Sequence, residues 1–115
     1  MQNQRKQSKF QHQRKNNTQD TSTSWGNVSE WYDEYMADTD TYQAKVIAPN
    51  LLRILGVTSF TNKTTMLDLA CGQGYFMNHV LHHAPKDISL ELYGVDISQE
   101  LLDIARVDLG SSVHL

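Results

Sequence analysis

Residues 66–76 read Met66-Leu67-Asp68-Leu69-Ala70-Cys71-Gly72-Gln73-Gly74-Tyr75-Phe76. A short apolar run carrying one carboxylate passes directly into small residues at Ala70, Gly72 and Gly74. A helical pattern follows, with Phe76, Val80 and Ala84 on one face, Met77 and Leu81 beside them, and Pro85 at its end. This order predicts a strand, a glycine turn and a helix. Glycine lets such a turn bend sharply and lets a ligand come close to the main chain. The unpaired amides of the following helix point at the same place. Asp68 narrows the choice of ligand, because a carboxylate ahead of the glycines repels a pyrophosphate and suits a cationic group. Its plainer role is to bond the amides of the turn.

Reading outward toward the C-terminus, Ile88, Leu90, Leu92 and Tyr93-Gly94-Val95-Asp96-Ile97 form a second strand. Ser98 is placed to cap a helix with Leu101, Leu102, Ile104, Ala105 and Val107 inward, and Gly110 closes it. Val113-His114-Leu115 begins a third strand. Strands alternating with helices of about ten residues imply a parallel sheet with right-handed crossovers. Ligands of such sheets bind beyond the carboxyl ends of the strands. Asp96, 22 residues after Gly74, lies at such an end, where an acidic residue accepts hydrogen bonds from ribose hydroxyls. Two carboxylates at adjacent strand ends, flanking a glycine turn, describe a site for a nucleoside that also carries a positive charge.

Toward the N-terminus, a polar loop at Thr61–Thr64 separates the first strand from a helical region. The aromatic-rich segment Trp25, Val28, Trp31, Tyr32, Tyr35 and Met36 reads as one helix with Ser29 as its N-cap. A second starts after Asp40, is interrupted at Pro49, and stops at Gly56. Trp31, Tyr32 and Tyr35 either anchor this helix to the sheet or close over a bound cation. Residues 1–24 contain Phe10 as their one large apolar residue besides Met1, so they read as a disordered polar tail outside the fold.

The charge is unevenly spread. Residues 1–24 hold five basic residues against Asp20, while residues 25–115 hold five basic and twelve acidic ones, a body of charge −7 behind a tail of +4. The body therefore lacks the electrostatic footprint of a nucleic-acid binder. No apolar run reaches the roughly 20 residues of a membrane helix. A single cysteine, Cys71, excludes an internal disulfide framework and fits a reducing, cytoplasmic compartment. Cys71 reads as a packing residue of the turn. His79, His82 and His83 have helical metal-binding spacing without a carboxylate or cysteine to complete a set, so no metal is expected. Asp33, Glu34, Asp38 and Asp40 read as a solvated acidic face.

The stretch from Met66 to Phe76, with Gly94-Val95-Asp96-Ile97-Ser98 and Leu102-Asp103-Ile104-Ala105-Arg106, resembles the class I S-adenosylmethionine-dependent methyltransferases. The family's first motif is an acidic residue followed by alternating glycines, which Asp68, Ala70, Gly72 and Gly74 match, Ala70 standing where glycine is commoner. The resemblance implies that Asp96 holds the ribose hydroxyls and Ile97 lies against adenine. The expected cofactor-binding set is Asp68, Ala70, Cys71, Gly72, Gly74, Asp96 and Ile97, with S-adenosylmethionine as cofactor. The lead-in Trp31-Tyr32-Asp33 and the helix Pro49-Asn50-Leu51-Leu52-Arg53 are similar to the N-terminal cap of small-molecule-type members. The implied architecture is α/β: a helical cap over 25–56, then the cofactor-binding βαβαβ of a Rossmann-like fold over 65–115.

That resemblance implies methyl transfer to an acceptor, a small molecule before a nucleic acid. The family's sheet has seven strands, and this chain reaches its third. The expectation is thus the N-terminal half of a longer domain, inactive alone, with its first strand an exposed apolar edge and no catalytic residue assignable. Two other readings stand beside it: a non-catalytic nucleoside-binding or regulatory partner, and an NAD-dependent oxidoreductase half-domain. The latter needs a third glycine where Met77 stands.

Overall fold

Apolar residues in β1 (Lys63–Leu69) and β2 (Ser89–Val95) point alternately to the two faces of one parallel sheet. The computed structural model describes residues 24–25 and 28–115; the expected tail lies outside the described residues except for Ser24. β2 also pairs in parallel with the short β3 (Val113–His114), giving the order β1-β2-β3. The register sets Thr64 beside Leu90, Met66 beside Leu92 and Asp68 beside Gly94 on one face. On the other, Leu67 stands beside Tyr93 and Leu69 beside Val95. The fold is α/β and Rossmann-like, with parallel strands alternating with helices.

The first face carries the core. Leu92 packs with Met77, Val80 and Ala84, with Val57 from the cap side, and with Leu102, Leu109 and Val113. Met77 and Val80 belong to α3 (Tyr75–His83); Leu101, Leu102, Ala105 and Leu109 are buried from α4 (Gln99–Leu109). The predicted inward position Val107 is corrected: it is 84% exposed, because the helix turns Leu109 into the core instead. Among the described residues the second sheet face is only partly covered: Leu67 is 56% and Leu69 70% exposed, with Tyr93 and Val95 beside them, and β1 is the edge of the described sheet.

The cap consists of α1 (Ser29–Ala37) and α2 (Ala48–Leu55). Ser29 is the first helical residue, not the cap, which is Val28. Pro49 does not interrupt the second helical stretch. It falls in the first turn of α2, directly after a wider helical turn, and the helix runs through it. The preceding Gln43–Ile47 takes a wider π-helical turn that carries the chain into α2 without a break. Gly56, left-handed at φ 63°, ends α2. β1 starts at Lys63, inside the expected polar loop, because Lys63 and Thr64 pair with Ser89 and Leu90 of β2.

Candidate functional site

β1 ends at Leu69, and the chain reverses through Ala70, Cys71, Gly72 and Gln73 before α3 begins after Gly74. Ala70, Gly72 and Gly74 all have positive φ, at 60°, 56° and 81°. Glycine adopts this conformation freely, whereas alanine pays for its Cβ. Gly74 has a second reason to be glycine: a Cβ there would run into Leu109 Cδ1. Gly94, opposite Asp68, is likewise filled in by its neighbours, Met77, Cys71 and Leu115.

Asp96 follows β2 and holds this turn. Its Oδ2 accepts the amide of Gly72 at 2.8 Å, and its Oδ1 accepts the amide of Ser98 at 2.8 Å. The Cys71 amide donates to the Val95 carbonyl at 3.0 Å, closing the same junction. Ser98, fully buried, caps α4 through a bond from the Leu101 amide to its Oγ, as the sequence predicts. Of the turn's amides, Gly72's goes to Asp96, Cys71's to the Val95 carbonyl and Gly74's to the Cys71 carbonyl, and none of these three goes to Asp68.

The two carboxylates open into different cavities. Asp96 lines one of about 490 Å³ with Leu69, Ala70, Val95, Ile97 and Leu101. Gly72 is part of this wall, and a Cβ there would only touch Leu101 Cδ1 at 3.8 Å, so what calls for glycine is its positive φ. Trp25 and Tyr32, in edge contact at 5.5 Å, close one side. Asp68 lines a smaller compartment of about 170 Å³ with Cys71, Tyr75 and Phe76, beneath Ile47, Ala48 and Leu51 of the cap. Tyr32 and Ala70 line both compartments, which therefore lie side by side.

The electrostatics follow from this crowding. Burial, and then the charge of Asp96, raises the Asp68 carboxyl above its ordinary value. The Cys71 thiol is pushed up to about 11 by burial, then by Asp68 and Asp96, which leaves it an inert packing group. Tyr32 is raised by burial, then by Tyr35 and Asp96.

Of the expected set, the structure gathers Ala70, Gly72, Asp96 and Ile97 around one cavity and Asp68, Ala70 and Cys71 around its neighbour. Gly74 lines neither; it lies behind the turn, under Leu109. Among the aromatics, Tyr32 reaches the cavity, while Trp31 is exposed and stacks on Tyr35 at 5.8 Å. Trp25 and Leu101 were not expected in the wall. Trp25 stands at the head of the aromatic run, but nothing in local spacing signals that it shares a cavity wall with residues more than 40 positions downstream. Among the described residues no cluster of three His, Cys, Asp or Glu is arranged to hold a metal ion. Nor is any helix there long and apolar enough to cross a membrane.

The polar groups of the site are acceptors beside apolar walls. Each Asp96 oxygen keeps a lone pair beyond its amide bond, enough to receive a pair of neighbouring hydroxyls. The apolar walls beside it suit a flat heterocycle, and the neighbouring compartment holds a carboxylate able to face a cation.

No protein-family model and no curated protein matches the chain. A crystal structure from Methanococcus maripaludis does, a protein provisionally described as an S-adenosyl-L-methionine-dependent methyltransferase. The TM-score is 0.54 at 17% identity, over 87% of this chain and 43% of that one. This chain thus spans less than half the length of that protein. The likeness extends to the fold: the described part of this chain has the Rossmann-like architecture of a methyltransferase.

Proposed function

We propose that this chain binds S-adenosylmethionine and is the cofactor-binding part of a methyltransferase acting on a small molecule. The observation that carries this reading is the division of labour between Asp96 and Asp68. They stand at the ends of adjacent parallel strands, on either side of one glycine turn, in neighbouring compartments that share Tyr32 and Ala70 in their walls. In this reading Asp96 receives the ribose hydroxyls, and Leu69, Val95, Ile97 and Leu101 sandwich the adenine. Ala70, Cys71 and Gly72 offer main chain beneath the ligand, and Asp68 faces the amino-acid end. The bound cofactor supplies an electrophilic methyl group on a sulfonium. The chain's own contribution is to fix its orientation and, through Trp25 and Tyr32, to exclude water, which are large terms in such a displacement.

The acceptor and the groups that act on it belong to the whole protein, and a small molecule fits the acidic body better than a nucleic acid. A single buried thiol fits the cytoplasm. The test is calorimetric titration of S-adenosylmethionine and S-adenosylhomocysteine into the folded chain, with Asp96→Ala as the control. Saturable binding that the substitution abolishes supports the reading. A chain folded by circular dichroism that binds neither ligand overturns it.

A further inference from the structure

The inward stripe of α1 is Ser29, Tyr32, Asp33 and Met36, at helical spacing, and of these only Met36 is buried. Three of the four line cavities. Tyr32 borders the Asp96 and Asp68 compartments, Met36 the second of these and a further cleft of about 340 Å³, and Asp33 that cleft. A helix of nine residues has little stability of its own, and one buried methionine gives it little apolar anchorage.

A polar bond ties this helix to the glycine turn. Gln73 Nε2 donates to Asp33 Oδ1 at 2.9 Å, which takes Asp33 out of the expected solvated acidic face. Gln73 is firmly mounted between Gly72 and Gly74, whose amides are held by Asp96 and by the Cys71 carbonyl. It is 8% exposed, and its Oε1 is buried without a partner, so among the described residues the bond to Asp33 is what fixes the carboxamide. The turn gives Ala70 and Gly72 to the wall of the Asp96 cavity, and α1 gives Tyr32, the neighbour of Asp33. Turn and helix therefore share one cavity wall, and the Gln73–Asp33 bond joins them.

We propose that Gln73 is a positioning residue that latches α1 to the glycine turn, holds Tyr32 in the cavity wall and slows the escape of a ligand bound there. The effect on the ligand rests on the cofactor reading; the latch itself does not. Hydrogen–deuterium exchange of the full chain without ligand reads the latch. Gln73→Leu and Asp33→Ala are each expected to speed exchange of the amides of residues 33–37 at least tenfold, while those of β1 and β2 keep the parent's rates. Asp33→Asn keeps an acceptor for Nε2 and is expected to exchange as the parent does. The double variant Asp33→Ala/Gln73→Leu is expected to be no faster than either single one, because both remove the same bond. In stopped-flow displacement, S-adenosylmethionine is expected to leave the two single latch variants several-fold faster than the parent or Asp33→Asn. The proposal is overturned if the α1 amides of the latch variants exchange as the parent's do, or if β1 and β2 speed up with them, as a merely structural role requires. It is also overturned if Asp33→Asn behaves as Asp33→Ala, or if ligand escape is unchanged while α1 exchanges faster. A folded parent that binds no cofactor overturns the cofactor reading instead, and the exchange rates still decide the latch.

Discussion

Asp96 accepts the amide hydrogen of Gly72 at 2.8 Å, so the residue after β2 holds the turn that follows β1. One carboxylate thereby shapes the loop and lines the cavity the loop surrounds. Asp96→Asn keeps the shape but sets an NH₂ group against a backbone N–H. Leaving a part-buried donor unpaired costs about 1–3 kcal/mol. The expected outcome is a Tm several degrees lower together with at least tenfold weaker S-adenosylmethionine binding. Equal Tm with lost binding would confine Asp96 to the ligand.

Ala70 sits at φ 60°, in the left-handed region that costs a non-glycine residue roughly 1–2 kcal/mol. Glycine relieves that strain but loses roughly 0.5–1 kcal/mol of chain entropy on folding. Ala70→Gly should therefore stabilise by up to about 1 kcal/mol, and Ala70→Val should destabilise clearly, since a β-branched residue tolerates this conformation worst. Denaturant unfolding of the three chains measures the order. Valine equal to alanine would mean the turn relaxes out of positive φ.

The raised Asp68 carboxyl predicts a pH dependence with a definite sign. The folded chain holds this proton more readily than the unfolded chain, whose value is near 3.8. Ionising Asp68 therefore costs stability, a cost that is absent below the unfolded value and complete once pH exceeds the folded one. Asp68→Asn should raise Tm at pH 7, and the gain should vanish toward pH 3.8. The same variant should bind S-adenosylmethionine more weakly. A gain independent of pH would assign it to packing.

Cys71, with its thiol pushed up to about 11, carries very little thiolate at neutral pH. Burial, the first cause, also shuts out the reagent. Alkylation by iodoacetamide at pH 7.4 should run on the order of 100-fold slower in the folded chain than in urea. Rates within a few-fold of each other would show that the glycine turn opens readily.

Gly94 predicts a packing cost. A Cβ there would lie 2.6 Å from Met77 Cε, 2.8 Å from Cys71 Sγ and 2.9 Å from Leu115 Cδ2. Three neighbours must move at once, so Gly94→Ala should destabilise by about 1–3 kcal/mol. Thermal melts against the parent chain give the value. An unchanged Tm would mean that the core beneath Asp68 is loosely packed.

By itself the sequence determined whatever depends on neighbours along the chain. The glycine turn, the Ser98 cap, the Gly56 stop and the placement of Asp68 and Asp96 at strand ends follow from local sterics and periodicity, and the structure has them. Tertiary structure decided which surfaces meet. Asp33 and Gln73 lie 40 residues apart and share a hydrogen bond. Trp25 reaches a cavity built more than 40 residues downstream. Pro49 reads locally as a break, and only the π-helical turn before it shows why the helix continues. The apolar run of β1 does not say by itself which face is covered, and among the described residues only its Met66 face is. Hydrophobicity says that a side chain seeks cover; the packing of the other elements decides whether it finds it.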